Sequence, residues 1–496
     1  MILRIHPDNP KLFEFNGRPR VLLCATEHYG AVLNRPFRFE RYLEDAASKG
    51  QTLTRLFTLF RELQSSVNPY STCKPESTDF VTPFRRSGPG KALDGEPRFD
   101  LAQWNDEYFD RLEAFVELAC DYGIVVEVVL FSNTYDNTIW QLNPLHPDNN
   151  VNLDPARPLR WQDYVTERNV EVLHWQEAHA RHIVEHTQQY DNVIYEICNE
   201  PGSFRSADAD LPGADEVNAW QSRMIGLVRS LQRESGRQHL IAGQQAFSYD
   251  PEFEQPADHT FDELDFDVVN MHPLPNTSFR RRNYDMGDFM SKQLKLAAVR
   301  DFALDSYGSR KPLNYDEDNV ATRYLDPEGW TIHRKRAWVT VLSGAHYDMI
   351  DFSIIPGRET GTSESRRCIR TWMGHLSQFV HSLDLVRARP LSEEWLRQQP
   401  EHTVASVLAV EEEEYCIYLA DGREREEANC GEPIEGVLEI TLPDGDFTVC
   451  TYAPNTGLYS PALPISGGAR MLYLPVFRHD ILIRIRRAAL VPRLLD

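Results

Sequence analysis

Carboxylates that follow short β-branched runs are the residues of this 496-residue chain best placed to do chemistry. YEICNEP (195–201) puts Glu200 just past such a run, after Asn199 and before Pro201, which stops the run from continuing as a strand. KPLNYDEDN (311–319) places Asp316, Glu317 and Asp318 together at the end of another. A pair of carboxyl groups from two strand ends can cleave a glycosidic bond: one protonates the leaving oxygen and the other attacks the anomeric carbon or activates water. A separation of about 5–5.5 Å between them would give retention of configuration. Three adjacent acids repel one another unless some bind partners, so the residues alone leave open which of 316–318 is the second carboxylate.

Other strand-end residues suit the same chemistry. Arg55, in TLTRLF, interrupts a run that otherwise faces a core, and a buried Arg needs a carboxylate partner. His272, in VVNMHPLPN, could contact sugar or a catalytic carboxylate. Glu27 and His28, in CATEHYG, could bind hydroxyls of a terminal sugar, with one of the two serving structure. Asn199 could hold the hydroxyl next to the reacting carbon. Trp140, among the Asn residues of 132–152, would suit a subsite where an aromatic ring stacks on a sugar face. No HxH, HExxH or paired-carboxylate metal spacing and no Gly-rich phosphate loop stands out, so neither metal nor cofactor is expected.

Eight strand candidates could position these residues: 21–25, 52–60, 124–131, 192–197, 239–243, 266–271, 312–316 and 345–353. Amphipathic helical patterns lie between them, and strand–helix alternation repeated eight times predicts a (β/α)8 barrel, an α/β fold. Asn16-Gly17 between apolar alternations predicts a hairpin that could close the barrel floor. Long connections at 61–103 and 132–164 follow the second and third strands, on the face where barrel active sites sit. Beyond about residue 385 the period becomes two, with turns at Asp421-Gly422, Asp444-Gly445 and Asn455-Thr456-Gly457. This predicts a small all-β domain, a β-sandwich over 386–496, behind a catalytic barrel over 1–385.

Composition narrows the class. A formal charge of −23 argues against nucleic acid or an anionic membrane as partner. No run of 18 apolar residues predicts a membrane span, and the N-terminus shows no basic-then-apolar leader, so a cytoplasmic address is expected. Eight scattered cysteines without a CxxC pair read as reduced thiols. Oligomeric state is not legible.

With Asn199-Glu200-Pro201 after a fourth strand and an acid cluster after a seventh, the chain resembles the clan A glycoside hydrolases, particularly family 5-like (cellulase-type) enzymes, over roughly residues 10–385. The resemblance implies a retaining β-glycoside hydrolase acting on a carbohydrate. Glu200 is then the acid/base and Glu317 the nucleophile, the latter after Lys311-Pro312 in the family's spacing. Asp316 and Asp318 are left to support the site or cap the loop. Arg55 and His272 correspond to the strand-two Arg and strand-six His. As acid, Glu200 is expected to hold its proton above the usual carboxylate range. Two departures place the chain on a divergent branch. Pro273-Leu274 stand where the family has x-Tyr after the strand-six His, and AHYDMIDFS (345–353) lacks a strand-eight Trp. A non-catalytic carbohydrate-binding barrel and a metal-dependent aldolase or isomerase are the alternative classes.

Overall fold

The computed structural model describes residues 2–63, 70–157, 159–207, 210–248, 264–272, 295–318, 325, 327–423 and 427–490. Eight parallel strands form one sheet: β1 (Leu23–Thr26), β2 (Leu53–Phe57), β3 (Val125–Ser132), β4 (Val193–Asn199), β5 (Leu240–Gly243), β6 (Val268–Asn270), β7 (Leu313–Asp318) and β8 (His346–Ile350). Their spatial order is β1-β8-β7-β6-β5-β4-β3-β2. Two bonds next to the open edges close the cylinder: the Leu23 amide donates to Thr52 Oγ1 at 3.0 Å, and the Thr52 amide donates to the Leu23 carbonyl at 3.1 Å. All eight expected strands are present, and the (β/α)8 reading of the sequence holds.

The outer layer is built from helices whose apolar stripes face the sheet. Among the described residues these are α1 (Phe39–Ser48), α2 (Asp106–Asp121), α3 (Val170–Thr187), α4 (Ala214–Ser235), α5 (Leu296–Ser306), α6 (Pro327–Leu342) and α7 (Ile369–Val380). In α2, Tyr108, Leu112, Phe115, Val116 and Ala119 are buried at helical spacing, while acidic Asp106 and Glu107 sit in the first turn, where the helix dipole favours them. The floor is closed as expected. Asn16 and Gly17, at φ 52° and 70°, turn Phe13–Phe15 back against Arg18–Arg20. Phe13 and Phe15 then pack with Leu22, Leu53, Val125 and Ile194 at the strand starts.

After the barrel come β9 (Arg389–Leu391), β10 (Thr403–Val410), β11 (Glu414–Asp421), β12 (Val437–Ala453), β13 (Leu458–Tyr459), β14 (Leu463–Tyr473) and β15 (Asp480–Arg487). They form one continuous antiparallel sheet in the order β9-β10-β11-β15-β12-β13, with β14 also paired to β12. The 17-residue β12 has a register shift between Leu442 and Asp446; β14 pairs with it on both sides of the shift, from Val437 to Val449, and β15 pairs with its second half, from Phe447 to Tyr452. The sheet curls over to bury Leu438, Ile440 and Leu442 with Ala405, Ile417 and Ile483. Its other face, with Leu408, Tyr418 and Leu482, packs on Trp338, Phe379 and the helix layer of the barrel.

Helix α6 lies between these two layers, and its run His333-Arg334-Lys335-Arg336 is entirely buried. Each charge has a partner, as burial requires. Arg334 grips Asp480 of the tail with two bonds of 2.7 and 2.9 Å, and Lys335 Nζ donates to the Asp421 carbonyl at 2.8 Å. Arg336 turns the other way, onto Asp318 at the tip of β7. No helix among the described residues is long and apolar enough to cross a membrane.

Candidate active site

The site is built from strand tips around one arginine. Arg55 projects from β2 into the barrel and is fully buried. Its Nε and Nη2 form a fork on Glu196 at 2.7 and 2.6 Å, the planar geometry that guanidinium and carboxylate share. Nη2 also donates to Asn199 Oδ1 at 2.8 Å and lies 3.0 Å from Asp316 Oδ2, while Nη1 donates to Glu317 Oε2 at 3.0 Å. The Tyr29 ring covers the guanidinium at 4.7 Å. Arg55 thus ties the tips of β4 and β7 to one rigid point.

The three acids ending β7 are sorted by an irregularity in register between Tyr315 and Asp318. Asp316 turns to Arg55 and His272, Glu317 turns to Arg55 Nη1, and Asp318 turns outward to Arg336 and the Tyr347 hydroxyl. Asp316 and Glu317 share the Arg55 guanidinium, with His272 also beside Asp316, and Asp318 has Arg336, which eases the repulsion that three adjacent acids would otherwise suffer. Glu317 is therefore the acid of this cluster that faces Glu200.

Glu200 sits one residue beyond β4 with φ 48°, a left-handed conformation that a non-glycine residue holds at a cost of about 1–3 kcal/mol. The turn aims its carboxylate at His272, whose Nδ1 is 2.7 Å from Glu200 Oε1. One ligand atom each from Glu200, His272 and Glu317 lies within 4.8 Å of the others. Two carboxylates and an imidazole at that range are also a possible donor set for a divalent ion.

The charges of the site differ from expectation. Burial pushes the Glu200 carboxyl up, but the charge and hydrogen bond of His272 and the Tyr135 hydroxyl outweigh it, holding the group below its ordinary range. Burial opposes a charged His272, yet Asp316, Glu200 and Glu317 together hold the imidazole well above its usual value. Glu317 is raised by burial and by the charge of Glu200, against His272 and Arg55. These directions favour a charged imidazole beside a charged Glu200, in place of the expected proton on Glu200.

Of the expected site residues, the structure brings Glu200, Glu317, Asn199, Arg55 and His272 together. His28 lies beside them: its Nδ1 is 2.5 Å from Ser71 Oγ and 3.3 Å from Glu62 Oε1, and Glu317 contributes to raising its pKa. Glu27 does not face the site. Its carboxylate accepts from the Gly30 amide at 2.9 Å and from the Thr72 hydroxyl, so it clamps the turn after β1 to the second loop. Burial lifts it to about 7. Trp140 is a second correction. It is 1% exposed, donates its indole N–H to the Leu159 carbonyl at 3.2 Å and packs on Tyr164 and His146, which makes it the core of its own loop. Positions 273 and 274, which carry the departure from His-x-Tyr, lie outside the described residues.

Several residues of the constellation were not anticipated. Glu196 anchors Arg55 and is raised to about 7 by burial, against Arg55. Glu127 of β3 accepts from Asn270 Nδ2 at 2.7 Å and Asn314 Nδ2 at 3.3 Å beneath it, and burial, with the charges of Glu196 and Asp316, raises it well above its range. A charged residue inside an apolar strand run, the signal that singled out Arg55, is equally present in YEIC and VVEVV. Tyr135 carried no such signal.

Known proteins share part of this sequence and its fold. The family model described as Cellulase (glycosyl hydrolase family 5) matches residues 86–303, which include Asn199, Glu200 and His272. No curated protein matches the sequence. A glycoside hydrolase family 5 structure from Bacteroides vulgatus ATCC 8482 superposes with a TM-score of 0.64 at 12% identity, covering 100% of this chain and 96% of its own. Another glycoside hydrolase structure gives 0.60 at 12% identity, with 98% and 97% covered. An endo-1,4-beta-mannanase from Rhizomucor miehei gives 0.50 at 12% identity, with 76% of this chain and all of its own covered. At such identities the superpositions establish the fold, and in the first two cases the match extends through the tail sheet. The family match lies across the middle of the barrel, and on that fold the chain is similar to the family 5 glycoside hydrolases.

Proposed function

We propose that the enzyme hydrolyses β-glycosides with retention, by double displacement between Glu317 and Glu200. The observation that supports this most is the approach of the two carboxylates, one from the tip of β4 and one from the tip of β7, with facing atoms within 4.8 Å. Retention calls for carboxyl groups about 5–5.5 Å apart, whereas inversion needs room for a water between groups about 6.5–9.5 Å apart. Glu317, held by Arg55, attacks the anomeric carbon. The glycosidic bond breaks as Glu200 protonates the leaving oxygen. In the second step Glu200 takes a proton from water, whose oxygen displaces Glu317 from the glycosyl carbon.

The opposite shifts of Glu200 and His272 give the imidazole a defined part. Transfer from its Nδ1 across the 2.7 Å bond leaves a neutral imidazole beside a protonated Glu200, the state in which the first step can begin. A sugar over Glu317 excludes water and favours this neutral pair over the ion pair.

The expected substrates are short oligosaccharides or small glycosides, because the long connections after β2 and β3 flank the site; Glu200 retains 18% side-chain exposure and Glu317 8%. Eight free thiols suit a reducing compartment. Testing begins with a panel of β-linked aryl glucosides, mannosides, galactosides, fucosides and glucuronides. On the sugar that is turned over, Glu200→Gln should fail with poor leaving groups and regain turnover of activated aryl glycosides with azide. Near-normal turnover by Glu317→Ala would remove that residue as nucleophile.

The Glu200–His272–Glu317 donor set favours one other reading, a metal-dependent reaction. Activity abolished by a chelator and restored by a divalent ion would establish it; full activity through exhaustive chelation sets it aside.

A further inference from the structure

The loop after β3 grips the turn that carries Glu200 at three points. The Asn133 amide donates to the Asn199 carbonyl at 3.0 Å, and Asn133 Nδ2 donates to the Glu200 carbonyl at 3.0 Å. The Thr134 amide donates to Asn133 Oδ1 at 2.8 Å and fixes that side chain. Two residues on, the half-buried Tyr135 receives the Asn199 Nδ2–H at 2.8 Å on its hydroxyl oxygen. A phenol that accepts with its oxygen still has its own proton to give, and the acceptor is the Glu200 carboxylate. The Tyr135 ring is held edge-on to Phe60, with centroids 6.2 Å apart at 87°. Its backbone sits at φ 21°, and with Tyr29 and Glu200 it is one of three non-glycine residues around the site with positive φ. Such strain persists where the surroundings over-determine it, and it clusters at functional sites.

We infer that Tyr135 is a positioning residue for catalysis, its hydroxyl joining the Asn199 amide to the Glu200 carboxyl so that the acid/base and its sugar-binding neighbour move as one unit. This deepens, and rests on, the assignment of Glu200 as acid/base. The bond from the hydroxyl strengthens as Glu200 becomes a carboxylate, which is what happens while it protonates the leaving oxygen. Relative to the substrate complex, in which Glu200 holds the proton, its contribution therefore belongs to the transition state of the first step, and it scales with how much proton donation the leaving group needs. An aryl glycoside whose phenolate leaves unaided draws nothing from it.

The test compares wild type, Tyr135→Phe and Glu200→Gln on a dinitrophenyl and an unsubstituted phenyl glycoside of the sugar that the enzyme turns over. Tyr135→Phe keeps the ring and its packing, so its melting temperature should match wild type. Its kcat should fall roughly ten- to hundredfold on the phenyl glycoside, as for a lost hydrogen bond to a charged group, and stay near wild type on the dinitrophenyl glycoside. Tyr135→Leu, which also removes the ring, should show the same selectivity with a lower melting temperature. If Glu200→Gln is selective in this way while Tyr135→Phe is impaired equally on both substrates, or on neither, the role of Tyr135 is overturned and that of Glu200 stands. If Glu200→Gln itself shows no selectivity, the acid/base assignment falls, and the role of Tyr135 with it.

Discussion

The Arg55 guanidinium serves Glu196, Asn199, Asp316 and Glu317 at once, and the planar fork is what makes this possible. A lysine keeps the charge but cannot make the parallel pair of bonds to Glu196 while reaching Glu317. Arg55→Lys is therefore expected to lower kcat/KM by roughly a hundredfold, the loss of one or two charge-assisted bonds, with wild-type KM retained only if Asn199 stays in place. Activity within threefold of wild type would mean that Arg55 is an ordinary core ion pair. Asn199, Glu200 and His272 were legible in the sequence as polar residues at strand tips, Arg55 as a charge interrupting an apolar run, and Glu317 only once the family spacing chose among three adjacent acids. Glu196 and Glu127 gave the same signal as Arg55. Tyr135 was illegible because its part depends on the path of an irregular loop, and no periodicity records that. Which of Glu27 and His28 serves structure was not legible, because strand-end position alone does not say whether a side chain faces the cleft or the turn beneath it.

Elements decide which side chains reach the site, and two placements here can be checked. Trp140 is core of the loop after β3, so Trp140→Phe is expected to lower stability by about 1–3 kcal/mol, as core substitutions do, with KM unchanged. A raised KM with an unchanged melting temperature would return Trp140 to a sugar subsite. The β8 residue His346 bridges barrel and floor: its Nδ1 accepts from the Leu22 amide at 2.9 Å, and its other ring nitrogen lies 3.0 Å from the Lys11 carbonyl. Only the neutral ring can accept and donate in this way, and burial lowers its pKa to about 3. Its unfolded-state value is near 6.5. The stability it contributes is therefore full above pH 6.5 and is lost as pH falls from there toward 3. The melting-temperature advantage of wild type over His346→Gln should shrink across that window. An advantage that holds constant or grows on acidification would contradict the neutral bridge. The eight strands were readable because each is a short apolar run between helical patterns. The register irregularity that sorts Asp316, Glu317 and Asp318 leaves no mark in a pattern of residue types.

At the scale of the whole molecule, the tail sheet is continuous with the packing of the barrel through α6. Arg334 and Lys335 point into the tail, while Arg336 of the same helix turn holds Asp318, next to Glu317. Removing the tail's partner leaves a cation buried and unpaired. Asp480→Ala is expected to cost about 3–5 kcal/mol of stability, and pairing it with Arg334→Met should recover much of that loss. Unchanged denaturant midpoints for Asp480→Ala would show the tail to be an independent appendage. The sequence announced this domain by its change of period, but the curl of one sheet through β12 is a tertiary feature that alternation cannot encode.

The proposed mechanism rests on a nucleophile at the tip of β7. The most direct test is to trap the glycosyl-enzyme with the 2-deoxy-2-fluoro form of the aryl glycoside that the enzyme turns over, then locate the adduct by proteolysis and mass spectrometry. The expected result is a single added sugar on the peptide containing Glu317, absent from Glu317→Gln. An adduct on another residue, or inversion of the product anomer with no adduct at all, would contradict it.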